Sequence, residues 1–136
     1  MEDNSLNTDI LIIDDSSINI RVVSNIIQPL GCKIFAAKSG LQALNLLTSF
    51  KPSLIILDIQ MPEMDGFECC KRIKSISKRN DIPIVFLSGS HDEADQEQAA
   101  KLGASAYLTK PFCADELIAA VKLHAMAAPA KQLTGS

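Results

Sequence analysis

A chain of 136 residues fits one domain, and with 47% apolar but only 4% aromatic residues its core must be built from Leu, Ile, Val and Ala. A net charge of −3 argues against direct nucleic-acid binding, which needs clustered Lys and Arg to neutralise phosphates. No apolar run approaches the ~20 residues of a membrane helix, the polar N-terminus lacks signal-peptide regions, and Cys32, Cys69, Cys70 and Cys113 form no C-x-x-C pair, so the expectation is a cytoplasmic protein with no membrane partner and no zinc site.

Residues 1–7 read as a flexible N-terminus. The continuous apolar run 10–13 predicts a strand covered on both faces, and Asp14 and Asp15 follow it at once. Ile18, Val22 and Ile26 recur every four residues and predict a helix stopped by Gly31. Residues 33–37, of mixed composition, suit a strand near a sheet edge. Ser39 and Gln42 have the spacing of a capping box ahead of a Leu41, Leu44, Leu47 stripe. A second strong strand, 54–57, is followed by Asp58, and Phe67, Cys70, Ile73 and Ile76 line a third helix. The third strong strand, 84–87, is followed by Ser88. Ser90 and Glu93 predict a capping box for a fourth helix that ends near Gly103, with a thin apolar stripe of Ala94, Ala99 and Leu102. Residues 105–109 form the last, edge-like strand, and Lys110 and Pro111 come directly after it. Leu117, Ala120, Val121 and His124 mark a fifth helix. Residues 127–136 show no periodicity, contain Pro129 and Gly135, and read as a tail or the start of a linker.

A strand followed by a helix, five times over, predicts an α/β domain across residues 8–126, with a five-stranded parallel sheet and helices on both faces. Such a sheet binds ligands at the C-terminal ends of its strands. Those ends carry Asp14, Asp15, Asp58, Ser88 and Lys110: three carboxylates, a hydroxyl and an amine. Carboxylates held together repel one another unless something neutralises them. A hard divalent cation does so, and Mg²⁺, with Mn²⁺ as its nearest substitute, binds through a few carboxylates while keeping several waters. A lysine balances a further anionic group, and a serine hydroxyl bonds its oxygens. The combination suits phosphoryl transfer, in which positioning and charge neutralisation do most of the work.

With Asp14-Asp15, then Asp58-Ile59-Gln60-Met61-Pro62-Glu63-Met64-Asp65-Gly66, then Ser88-Gly89 and Lys110-Pro111-Phe112, the chain resembles response-regulator receiver domains of two-component signalling systems. The resemblance implies a flavodoxin-like, doubly wound (βα)5 fold. It implies that Asp58 is the phosphoacceptor and forms an acyl phosphate. Asp15, Asp58 and the backbone carbonyl of Gln60 would ligate Mg²⁺, and Asp14 would act through bound water. Lys110 would pair with the phosphoryl oxygens. Ser88 would bond one of them and shift inward on phosphorylation, and Tyr107 would be the aromatic switch that turns with it. The Lys110–Pro111 bond would be cis, aiming Lys110 into the site. Gly89 stands where many relatives carry Ala, and Gln60 and Ser90 fall at positions that tune phosphoryl lifetime. The implied partners are a histidine kinase or histidine phosphotransfer protein as donor and an output domain or effector protein downstream. The face formed by the fourth helix, fifth strand and fifth helix would switch, and a dimer through that face stays open, with no long apolar patch to support it. Such a protein catalyses only its own phosphorylation and dephosphorylation.

Taken singly, these residues have plainer readings: acids favour helix starts, Ser88 suits a turn, and Asp65-Gly66 marks one. Together, in order, they do not. An unphosphorylated receiver-like binding module typically lacks the acidic pair, the acceptor or the lysine, and all are present here. A flavodoxin-like cofactor binder needs a Ser-, Thr- or Gly-rich loop where this chain has two carboxylates. A phosphatase with an Asp nucleophile after the first strand carries a second acid two residues on, where Ser16 stands. His91 and His124 lack the setting of a phosphodonor and are expected to be structural.

Overall fold

The three continuous apolar runs become the three central strands, since only a strand flanked by neighbours and covered on both faces can bury every side chain. The computed structural model describes residues 8–76 and 78–135, with side chains as far as Ala125. In it β1 (Asp9–Ile13), β2 (Lys33–Ala37), β3 (Leu54–Asp58), β4 (Ile84–Ser88) and β5 (Ala106–Thr109) form one parallel sheet in the order β2-β1-β3-β4-β5. The two strands of mixed composition, β2 and β5, are its edges. Between them run α1 (Ser17–Ile27), α2 (Gly40–Leu46), α3 (Gly66–Lys74) and α4 (Glu93–Lys101), and α5 (Ala114–Gly135) follows β5.

Alternate residues of each strand face opposite sides. Leu11, Ile13, Ile55, Leu57, Ile84 and Phe86 pack with Ala43, Leu47, Phe67, Cys70, Ile73 and Ala99 from α2, α3, α4 and their flanks. Ile10, Ile12, Leu54, Ile56, Val85 and Leu87 pack on the other face with Val23 and Ile27 of α1 and Leu117, Val121 and Ala125 of α5. From β1 the chain winds outward to β2 on one side, then crosses back to β3 on the other. A crevice opens above the C-terminal ends of β1 and β3 at that reversal.

Three local expectations shift. Of the α1 stripe, Ile26 packs half-buried against the core, but Ile18 is 75% and Val22 46% exposed, and the buried positions are Val23 and Ile27. This helix carries two overlapping apolar stripes, and its docking on β1 selects the later one. Helix α4 is capped by Asp92, whose carboxylate accepts the Ala94 N–H at 3.0 Å, rather than by Ser90 and Glu93. Residues 127–135, read as a tail, continue α5 to Gly135 even though Pro129 lies among them. The predicted cap of α2 forms: Ser39 Oγ accepts the Gln42 N–H at 3.1 Å, and the Gln42 amide reaches back to the Lys38 N–H at 2.6 Å.

The four cysteines are free. Cys32, Cys69 and Cys70 are buried, and burial pushes the Cys69 thiol up to about 12, so it stays protonated. Among the described residues, no helix is long and apolar enough to cross a membrane.

Candidate functional site

Asp14 and Asp15 leave the end of β1 and Asp58 ends β3, so all three reach the crevice at the reversal, with a carboxylate oxygen of each within 4.8 Å of the others. Asp14 and Asp58 are 3% and 6% exposed, while Asp15 faces solvent. Local bonds fix Asp14. Its N–H donates to Ala37 O on β2 at 3.0 Å, and its Oδ1 accepts the N–H of Ser16, the cap of α1, at 2.9 Å.

Lys110 comes from the far edge of the sheet. Its N–H donates to Ser88 O at 2.7 Å, which ties it to the end of β4. Its side chain then crosses to Asp58, with Nζ 3.5 Å from Asp58 Oδ1 and 4.0 Å from Asp14 Oδ2. The Lys110–Pro111 peptide is cis. Ser88 is fully buried beside this crossing. Strand pairing sets Leu87 opposite Asp58, so Ser88 lies one step further along, and its Oγ accepts the Ser90 N–H at 3.0 Å. Gln60 is exposed in the loop after β3, between buried Ile59 and Met61. Tyr107 pairs with Phe86 on β4, and its hydroxyl donates to Ser90 O at 3.1 Å. The site therefore brings together Asp14, Asp15, Asp58 and Lys110, with Ser88 on the neighbouring strand end. Tyr107 joins it only through the loop after β4. His91 is exposed, His124 is half-buried, and neither belongs to the carboxylate cluster.

Burial raises the pKa of Asp58 above the ordinary carboxylate value, and the Asp14 charge raises it further, against the pull of Lys110. Asp14 is raised by burial too, opposed by its bond from Ser16 and by Lys110. One lysine thus faces three carboxylates, two of them desolvated. Hard oxygen donors left short of positive charge in a half-open cleft fit a divalent cation such as Mg²⁺.

Gly66 explains part of the Asp65-Gly66 pair. Its N–H donates to Ile59 O at 2.7 Å, and a Cβ there would collide with the Asp58 carbonyl oxygen and lie 2.7 Å from Ile59 Cα. Only glycine lets the first turn of α3 press against the backbone that carries Asp58. Gly66→Ala is expected to destabilise the protein by about 1–3 kcal/mol, read as a lower urea midpoint at unchanged slope. At Gly89, by contrast, a Cβ would meet nothing within 4 Å, so packing there does not demand glycine.

Sequence reasoning assigned Ser90 to a capping box and missed its actual partner. Its hydroxyl donates to Asp95 at 2.7 Å. A carboxylate five residues on has no recognised spacing and offered no signal.

A family model described as "Response regulator receiver domain" matches residues 10–122. The chain is 34% identical to Protein PilG of Pseudomonas aeruginosa over 124 residues, covering 91% of this chain and 92% of PilG. It is 35% identical over 113 residues to the ycf27 protein of Guillardia theta, covering 83% of this chain but only 43% of that longer protein. Among solved structures, the chemotaxis protein CheY4 of Vibrio cholerae matches with a TM-score of 0.81 at 28% identity, covering 87% of this chain and 98% of CheY4.

Proposed function

The chain belongs to the response-regulator receiver family of two-component systems, and from that membership we propose that it accepts a phosphoryl group on Asp58, in a Mg²⁺-dependent transfer from a phosphohistidine. The observation that carries this reading is one buried carboxylate, at the end of the central strand β3, bonded to a lysine and flanked by two further acids. An Asp58 carboxylate oxygen attacks phosphorus, the bond to the donor imidazole breaks, and the imidazole leaves with the electron pair. Asp15, Asp58 and the Gln60 carbonyl would hold Mg²⁺, and Asp14 would hold its water. The ion, when bound, supplies the positive charge that phosphoryl oxygens need as they approach an acidic site. Lys110 takes up an oxygen of the transferred group, and Ser88 donates its hydroxyl to another. Asp14 and Asp58 are both buried, so charges in this crevice are poorly screened, and the pull of Lys110 on an incoming phosphoryl oxygen is correspondingly stronger.

The acyl phosphate adds up to about two negative charges, and these must bias a two-state element to carry a signal. Helix α4 suits that role because Ala99 is its only buried residue, and little burial means weak anchoring. The α4-β5-α5 face is then the surface read by an output domain or effector, or used for dimerisation. The donor is a histidine kinase or a histidine phosphotransfer protein, and the exchange takes place in the cytoplasm. The working unit is residues 8–126, and its only catalysis is on itself. Tyr107, bonded to Ser90 O, relays the state of the site to this face. Tyr107→Ala is therefore expected to be phosphorylated normally while an effector's binding loses its dependence on phosphorylation. An unchanged dependence removes Tyr107 from the relay. Intact mass after incubation with Mg²⁺ and acetyl phosphate tests the function itself.

A further inference from the structure

Every polar group of Ser90 is engaged, and its partners span the end of β4, β5 and the start of α4. Its N–H donates to Ser88 Oγ at 3.0 Å, and its carbonyl accepts the Tyr107 hydroxyl at 3.1 Å. Its hydroxyl oxygen accepts the Asp92 N–H at 3.2 Å and donates its proton to Asp95 Oδ2 at 2.7 Å. The last bond is short and ends on a carboxylate, the geometry of the stronger, charge-assisted class. Asp95 is the third residue of α4 and half-buried.

We propose that Asp95 is a positioning residue for the loop after β4, acting through the Ser90 hydroxyl to couple the Ser88 hydroxyl to α4. The inference rests on the phospho-accepting reading given above. In the present geometry Ser88 Oγ is turned to the Ser90 N–H. A Ser88 hydroxyl that swings to a phosphoryl oxygen on Asp58 either strands that N–H or draws Ser90 along with it. Stranding a donor in a half-buried loop is costly, so the loop follows. Because Ser90 is bonded to Asp95, the first turn of α4 is pulled with the loop. The helix offers little resistance, since Ala99 alone is buried along its length. Without the Asp95 carboxylate, Ser90 loses its one side-chain bond to a residue inside α4 and keeps only the weaker bond from the Asp92 cap, which does not carry the charge at Asp58 into the helix.

The test is hydrogen exchange of peptides spanning residues 93–101, measured with Mg²⁺ and with or without acetyl phosphate, on the parent, Asp95→Ala, Asp95→Asn and Ser90→Ala. Intact mass is read on the same samples. Parent and both Asp95 variants are expected to take one phosphoryl group. Exchange in α4 changes on phosphorylation in the parent, and that change is lost in Asp95→Ala. It is retained in Asp95→Asn, whose amide oxygen still accepts the Ser90 proton. Asp95→Ala also exchanges about tenfold faster than the parent before phosphorylation. Adding Asp95→Ala to Ser90→Ala changes nothing further, the signature of two residues acting as one contact. A merely structural role would speed exchange in both states and leave the phosphorylation-dependent difference intact. A phosphorylated parent whose α4 response survives undiminished in Asp95→Ala overturns the coupling alone. A parent that takes no phosphoryl group overturns the phospho-accepting reading and the coupling with it.

Discussion

Incubated with Mg²⁺ and acetyl phosphate, the parent protein gains the mass of one phosphoryl group, and Asp58→Asn gains none. Of the three clustered acids, Asp58 alone combines burial at the end of a central strand with a direct bond to Lys110. Asp14 is equally buried, but its Oδ1 is committed to the Ser16 N–H, and Asp15 lies in solvent. Asparagine matches aspartate in shape and can still accept from Lys110, so the variant keeps the fold and loses only the nucleophile and its charge. Burial and the Asp14 charge both oppose ionisation of Asp58, and the substitution relieves that opposition; the variant should melt no lower than the parent in chelator. Chelator should abolish labelling of the parent as completely as the mutation does. Labelling of Asp58→Asn to the parent's extent would move the acceptor elsewhere. A parent that neither gains mass nor responds to beryllofluoride would be a receiver fold used only for binding.

The other two acids are expected to behave oppositely. Asp15→Asn should weaken Mg²⁺ binding by at least about tenfold, since loss of a ligand costs no less than loss of the partner that orients one. Asp14→Asn should instead improve the metal-free protein at neutral pH. Asp14 and Asp58 have raised pKa values in the folded state. Well below the ordinary carboxylate value of 3.8 both are protonated, folded or unfolded, and they contribute nothing. As pH climbs past that value the unfolded chain releases these protons first, the folded state holds more of them, and stability falls until the raised values are passed. Asparagine at position 14 removes one such group and the second-largest cause of the shift at Asp58. The difference in urea midpoint between variant and parent, in chelator, should grow in the variant's favour as pH rises past 3.8, level off once the raised values are passed, and shrink when Mg²⁺ is added to the parent. A difference that is flat with pH would mean that repulsion between these carboxylates does not limit the metal-free fold.

Much of this was legible in the sequence because the chemistry sits where the patterning is strongest. A fully apolar run can only be a central strand here, and the residue after it lies at a strand end whatever the neighbouring loops do. Asp14, Asp58 and Ser88 could therefore be placed by counting, and so could Lys110 after the weaker last strand. The order of strands could not, because alternation implies a parallel sheet without saying which strand lies beside which. The face of α1 was misread because Ile18 and Val22 tolerate solvent, and only docking on the sheet chooses between Ile18 and Val23 as inward positions. The start of α4 was misread because Ser90 and Asp92 are both good caps. The choice fell to Asp92 because Ser90 is held by Ser88, Tyr107 and Asp95, residues brought together only by the folded loop.

Strand β5 has a neighbour on one side only, yet the residue directly after it, Lys110, brings an ammonium group to the acids. Its side chains are only half-buried, so lifting this edge uncovers little oil. Lifting it would also withdraw Lys110 and leave Asp14 and Asp58 facing each other without that counter-charge. Charge thus fastens a margin that hydrophobic contact holds loosely, and fraying there carries a penalty that grows with the number of ionised acids behind it. A ligand that pried this margin open would strip the crevice of its counter-charge from the side without ever entering it.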